Sequence, residues 1–148
     1  MWQSVIAILG TLAGASMTAW FQQRGQRAER AAATATAHRR DALDAVTDLV
    51  TALADHRKAM WLREEARLAG ADWTELRTAS HTTRAAITAP AVRVAILLPA
   101  LATTAQAAAT ATYAMRGATD HTALNAARED AVAAADRLID TAGQLLTA

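Results

Sequence analysis

Trp2-Gln-Ser-Val-Ile-Ala-Ile-Leu-Gly10-Thr-Leu-Ala-Gly14-Ala-Ser-Met-Thr-Ala-Trp20-Phe21 contains no charged side chain. As a helix rising about 1.5 Å per residue it is roughly 30 Å long, the thickness of a bilayer's hydrocarbon core. Val5, Ile6, Ile8, Leu9 and Leu12 make its first half strongly apolar, while Gln3, Ser4, Ser16 and Thr18 dilute the whole. Trp2 and Trp20 stand near the two ends, where indole rings favour the headgroup region. Arg24, Arg27 and Arg30 follow at once, and no Lys or Arg precedes. The positive-inside rule then places the N-terminus outside and everything after residue 22 in the cytoplasm, in a cell inner membrane or plasma membrane. A secretory signal peptide would need a basic segment ahead of its apolar part, which this chain lacks. A helix buried in a soluble core is the stronger competitor, because moderate hydrophobicity suits both.

Gly10 and Gly14 form a GxxxG pair flanked by Ala13 and Ala15. Small residues at this spacing let membrane helices approach closely, so the pair predicts self-association into a homo-oligomer.

The stretch beyond residue 22 is long enough for one compact domain and too short for two. The chain has no cysteine, which excludes disulfides and thiolate metal sites. Its net charge of +1 singles out no partner. The distribution says more: residues 1–40 hold Arg24, Arg27, Arg30, Arg39 and Arg40 against Glu29, so the basic part adjoins the apolar run. Anionic lipid headgroups explain these five arginines, as would DNA phosphates. Aromatic residues for stacking on single strands are missing among them and no helix-turn-helix is evident, which argues against direct nucleic-acid contact.

From Phe21 to Leu68 only Gly25 interrupts a run of good helix formers. Residues 23–40 read as a basic helical neck, and a helix unbroken from Trp2 to Leu68 would be about 100 Å long. From Asp41 a heptad-like face appears, Ala42, Val46, Leu49, Leu53, His56 and Met60, widened by Leu43, Val50 and Ala54. Gly70 predicts its C-terminal cap and Asp72 the start of the next helix. That helix, 72–89, carries Trp73, Leu76, Ser80, Thr83 and Ile87 at helical spacing and stops before Pro90. Residues 91–98 read as a short helical piece. Pro99 opens a third helix to Arg116 with the seam Leu98, Leu101, Ala105, Ala108, Thr112 and Met115, capped by Gly117. Residues 94–115 are uncharged, so a second membrane span is an alternative that Gln106, Pro99 and the threonines disfavour. A last helix begins at Asp120 as N-cap and carries Leu124, Arg128, Ala131, Ala135, Leu138, Ala142 and Leu145.

The expected fold is therefore all-α: a transmembrane anchor (1–22) continuing through the neck (23–40) into a long helix, then an antiparallel helical bundle (41–148). No HExxH, Glu-x-x-His pair, phosphate loop or nucleophile motif is present, so neither cofactor, metal nor enzymatic activity is expected. Asp55, His56, Arg57, Trp61, Glu64 and Glu65 on the first bundle helix face Arg77, His81 and Arg84 on the second in the expected antiparallel pairing. They form either an ion-pair network that sets register or a partner patch centred on Asp55, His56, Trp61, Arg77, His81 and Arg84.

The blocks Met1 to Ala15, His38-Arg-Arg-Asp-Ala, Ala54-Asp-His-Arg-Lys-Ala-Met-Trp-Leu-Arg-Glu, Ser80-His-Thr-Thr-Arg-Ala-Ala-Ile-Thr and Ala111-Thr-Tyr-Ala-Met-Arg-Gly together resemble the KilB-type spread proteins of actinomycete conjugative plasmids. The resemblance covers most of the chain and is weakest around Arg93 and Pro99. It implies a small, membrane-associated, self-associating protein without catalytic residues. Such a protein helps plasmid DNA spread through a mycelium beside other conjugation proteins, among them a separate DNA-translocating ATPase. A membrane-tethered adaptor recruiting a cytoplasmic partner, or an oligomeric pore using residues 94–115, are the alternatives.

Overall fold

The computed structural model describes the backbone of residues 2–147 and the side chains of residues 26–147 other than that of residue 28. The anchor expected over 1–22, the Gly10 and Gly14 pair and the side chain of Arg24 thus lie outside the described residues. Five α-helices occur in order: α1 (Trp2–Leu68), α2 (Thr74–Ala86), α3 (Thr88–Leu97), α4 (Ala102–Tyr113) and α5 (His121–Thr147), with a single 3-10 turn (Pro99–Leu101) before α4. The chain divides into two units, Met1–His38 and Arg39–Ala148.

In the first unit the described part of α1 is a polar helix whose side chains, Arg27 and Arg30 included, are exposed. Thr34 and Thr36 donate to the carbonyls of Arg30 and Ala32, each at 2.9 Å, so their hydroxyls are satisfied within the helix.

The second unit is the expected bundle. His56 and Arg63 of α1 meet Thr83 and Ser80 of α2, an antiparallel pairing. Arg93 of α3 reaches back to Asp48 at 2.7 Å. One cleft is lined by Leu43 with Ile139 and Leu146, another by Trp61 with Arg128, which sets α5 antiparallel to α1. With α2 and α3 counted as one bent element, four antiparallel segments surround a shared core.

The core follows the heptad seams. Ala42, Val46, Leu49, Leu53, His56 and Met60 are all buried, as are Ser80 and Ile87, and Leu101, Ala105, Ala108, Thr112 and Met115. Leu49, Leu53, Ile87, Val94, Leu101 and Leu138 belong to one cluster that many alanines complete, and Met60, Met115, Leu124 and Ala131 form a second toward the Leu68 end. Alanine at so many facing positions lets helix axes approach closely, so a few leucines suffice to fill the interior. On α5 the seam residues Leu124, Ala131, Ala135, Leu138 and Ala142 are buried. Arg128 and Leu145, two expected members, are exposed, because they flank the core stripe instead of lying on it.

The turns follow from the glycines and aspartates. Gly70 adopts φ +69° and Gly117 φ +77°, conformations open to glycine and costly for other residues. At Gly70 the amide of Ala71 bonds the carbonyl of Ala66 (2.9 Å) and that of Gly70 the carbonyl of Arg67 (3.2 Å), a complete Schellman termination. Asp120 accepts from the Ala123 amide at 2.8 Å and starts α5, whereas α2 begins at Thr74 with Trp73 in the capping position, and Asp72 accepts from the Thr74 amide at 2.9 Å one residue ahead of it. Those same hydrogen bonds hold both carboxyl pKa values below the ordinary range.

Two expected helix ends shift. The second helix ends at Ala86, not at 89, and Pro90 sits inside the first turn of α3. Proline at 90 can neither bond the carbonyl of residue 86 nor clear it sterically. The helix therefore breaks one turn earlier and restarts where a missing amide costs nothing. The third helix ends at Tyr113, three residues before Arg116, because the chain must turn to place Gly117. Residues 94–115 do not form one long helix. They divide among the end of α3, the 3-10 turn and α4, whose 12 residues rise about 18 Å, short of a bilayer core. Among the described residues no helix is long and apolar enough to cross a membrane.

Truncating the fully buried Leu53 to Ala lowers bundle stability by about 2–5 kcal/mol, whereas Leu43→Ala, at a residue 54 % exposed, changes it by less than about 0.5 kcal/mol. Thermal unfolding of the two full-length variants in a mild non-ionic detergent, followed by circular dichroism, checks the contrast.

Candidate interaction site on the first bundle helix

Toward the Leu68 end of α1 the buried seam becomes polar. His56, Arg63 and Glu64 are buried at 2, 6 and 0 % exposure, an unusual density of titratable groups in so small a core. Each is held by a partner distant in sequence.

His56 Nδ1 lies 2.9 Å from Thr83 Oγ1. Thr83 has one hydroxyl proton and directs it at the carbonyls of Ala79 and Ser80 (3.1 and 3.2 Å), so its oxygen accepts and His56 Nδ1–H donates. The ring also meets Tyr113 edge-on, with centroids 5.6 Å apart. Burial, reinforced by the positive charges of Arg84 and Arg63, lowers the His56 pKa to about 4 and keeps the imidazole neutral.

Glu64 Oε2 accepts from Arg67 Nε at 2.7 Å and from the backbone amide of Gly117 at 3.1 Å. Arg67 Nη2 donates to the carbonyl of Ala118. The carboxylate thereby ties α1 to the connection between α4 and α5. Its second oxygen, Oε1, stands 3.6 Å from Arg63 Nε, and neither atom has a hydrogen-bond partner among the described residues. Arg63 Nη1 donates to Ser80 Oγ at 3.4 Å, and Ser80 in turn donates to the Arg77 carbonyl at 2.7 Å. Desolvation pulls the Arg63 pKa below its ordinary value, Glu64 opposes that, and Arg116, Arg77 and Arg67 add to it.

The network expected across α1 and α2 is not the one that forms. Glu64 is buried and pairs with arginines of its own helix. Arg77 lies with its guanidinium carbon 5.9 Å from the centre of the Trp73 ring, and Arg84 lies 3.8 Å from that of Tyr113. The patch also divides. His56, His81 and Arg84 line a small cavity with Arg63, Ser80 and Arg116. Trp61 belongs instead to an open cleft with Arg57, Lys58 and Arg128, whose guanidinium sits 5.3 Å from its ring centre. Asp55 and Glu65 are exposed on α1. Sequence reasoning missed Arg63, Arg67 and Arg116. The signal was available, since Leu53, His56, Met60, Arg63 and Arg67 continue one seam at spacings of three and four.

Arg39 and Arg40 are exposed, as are Arg27 and Arg30. Among the described residues no group of three or more His, Asp or Glu side chains is placed to hold a metal ion.

The family described as KilB plasmid transfer protein matches residues 43–146, nearly the whole bundle. This chain belongs to the KilB family. A curated KilB-family relative, Protein KilB of Streptomyces lividans, is 48 % identical over 91 residues, which is 59 % of this chain. The match spans 58 % of that relative's length. No solved structure matches. The matched range contains all the buried polar groups described above.

Two outcomes follow from this geometry. Replacing Glu64 by Ala strands Arg63 and Arg67 and costs about 3–5 kcal/mol, the range for breaking a buried ion pair, and denaturant unfolding measures it. His56 binds its proton with a pKa of about 4 folded and near 6.5 unfolded. Between those values the unfolded chain holds more protons, so stability falls as pH drops from about 6.5 to about 4 and is complete above 6.5. His56→Asn should flatten that slope in unfolding measured across this window; an unchanged slope assigns it to other groups.

Proposed function

We propose that this chain serves plasmid transfer as a membrane-anchored, self-associating helical component without enzymatic activity, its bundle on the cytoplasmic side. The family match over residues 43–146 carries the reading. It is supported by the uncharged stretch 2–21 followed at once by arginines, and by the exposure of Arg27, Arg30, Arg39 and Arg40. On an inner leaflet those side chains meet anionic headgroups at about 1 kcal/mol each. The partners implied are the bilayer, further copies of the chain and other transfer or spread proteins.

Self-association has a second possible seat besides Gly10 and Gly14. Leu43, Val46 and Val50 of α1 and Ile139, Ala142 and Leu146 of α5 line an apolar cleft, with Leu43 54 % and Ile139 46 % exposed. Arg57, Lys58 and Arg128 line the cleft at the other end of the same helix pair, while Asp44 and Asp140 adjoin Leu43 and Ile139. A second copy laid antiparallel brings unlike charges together over buried apolar surface, the arrangement of a self-complementary two-fold interface.

Fractionation and mass measurement test the reading. The full-length chain should remain with the membrane after alkaline carbonate washing, and in detergent its mass should be a multiple of the monomer's. Gly10→Ile with Gly14→Ile should reduce that multiple if the membrane helices pair, and Leu43→Asp with Ile139→Asp should do so if the bundles pair. A chain that is soluble without detergent refutes the anchor; a monomeric mass for the unaltered chain refutes self-association.

A further inference from the structure

We infer that the corner between α3 and α4 is a contact between the bundle and the bilayer surface, with Val92, Ile96 and Pro99 entering the headgroup layer without spanning it. This rests on the membrane anchoring proposed above and adds the part of the bundle that touches lipid. From Ala85 to Met115 the chain has one charged residue, Arg93. That charge is matched, since Arg93 Nη1 lies 2.7 Å from Asp48 Oδ2. Every other exposed side chain of α3, the 3-10 turn and α4 is uncharged. Ile96 is 70 % exposed and Val92, one helical turn before it, 51 %. Ala95, Pro99 and Ala100 beside them are exposed as well, while Leu97 and Leu98 pack against the core. A face turned to water ordinarily carries charges of both signs, and an exposed apolar corner without them marks a contact.

The position of the corner selects lipid as its occupant. Arg63, His56 and Asp48, taken back along α1, meet Ser80, Thr83 and Arg93 in turn. α3 therefore runs toward the start of the bundle, and at about 1.5 Å per residue Ile96 and Pro99 come level with the part of α1 around Ala45 and Ala42. Arg39 and Arg40, both exposed, stand within about one turn of that level and are residues that meet headgroups in the membrane reading. Large apolar side chains beside such guanidinium groups sit at the depth where an interfacial contact removes them from water. With 10 residues, α3 rises about 15 Å, so the corner lies in the interface and does not cross. Asp41 and Asp44 at the same end offset Arg39 and Arg40, so the contact draws on apolar area more than on attraction to anionic lipid. A tethered chain offers the corner to the surface at high effective concentration, and a few side chains then suffice.

The chain has no cysteine, so one introduced thiol carries one environment-sensitive dye. Full-length Ala100→Cys, and Thr119→Cys in the turn between α4 and α5 as the reference, are labelled and reconstituted into phosphatidylcholine vesicles with and without phosphatidylglycerol. The label at 100 is expected to emit further to the blue in both lipid mixtures and to be quenched by lipid-borne nitroxide more than by aqueous iodide, with the reverse at 119. Adding Val92→Asp with Ile96→Asp, both at exposed positions, should abolish the shift at 100 while the chain still resists carbonate washing. Quenching by iodide at 100 as strong as at 119, in a chain that resists that washing, would overturn the contact and leave the anchor standing. A blue shift that disappears as the vesicles are diluted with lipid assigns the corner to a second copy and overturns the proposal too. Loss of the chain on washing refutes the anchor and the contact that rests on it.

Discussion

Glu64 is the residue on which the arrangement of the bundle's polar end depends. Its Oε2 receives Arg67 from its own helix and the amide of Gly117 from a turn 53 residues away. Gly117 can offer that amide because its φ of +77° turns the chain immediately after α4. The Ala118 carbonyl is taken up by Arg67 in the same corner. A carboxylate in such a place loses several kcal/mol of hydration, which only well-directed donors offset. Alternative registers of α1 against α4 and α5 would keep the arginines of its own helix but take away the Gly117 amide and the Ala118 carbonyl. The apolar seams, made largely of alanine, discriminate poorly between registers one turn apart, so the carboxylate supplies specificity that the core lacks.

This division of labour explains what the sequence disclosed. The periodic face from Ala42 to Met60, the small seam from Leu101 to Met115, the capping roles of Gly70 and Asp120 and the turn at Gly117 rest on local chemistry, with spacing, φ or a side-chain oxygen within three residues deciding each. The buried charges were not legible in that way. A Glu-x-x-Arg pair on a helix ordinarily reads as a solvated ion pair, and its burial depends on a backbone amide from a remote turn. Pro90 shows a subtler limit. Proline fixes that a break must occur one turn ahead of it, yet both sides of the break are helical, with the buried Ile87 at the joint.

The functional expectations divide along the same line. Family membership was readable because a resemblance is carried by the order and type of residues along a linear chain, whereas the expected patch of six residues assumed that helix proximity alone brings side chains together. His56 and Trp61 are five positions apart on one helix, and their rings leave it in directions that serve different clefts. Helical phase separates them. A heptad wheel drawn for α1 alone shows this, but which flank α2 would cover and which α5 would cover depends on the tertiary topology.

Arginine rather than lysine dominates the basic side chains, with Lys58 alone as lysine, and the structure gives that choice a use. Each of the aromatic rings Trp61, Trp73 and Tyr113 has a guanidinium within 6 Å of its centre: Arg128 at 5.3 Å, Arg63 at 5.1 Å and Arg84 at 3.8 Å, respectively. A guanidinium is planar and weakly hydrated, so it can lie over a ring, whereas an ammonium group keeps its water and its mobility. The rings thus serve as platforms that hold positive charge in fixed places on a bundle with few acidic neighbours there. Polar groups this expensive to bury, on a core otherwise built of alanine and leucine, are accounted for by the one arrangement of helices that they fix.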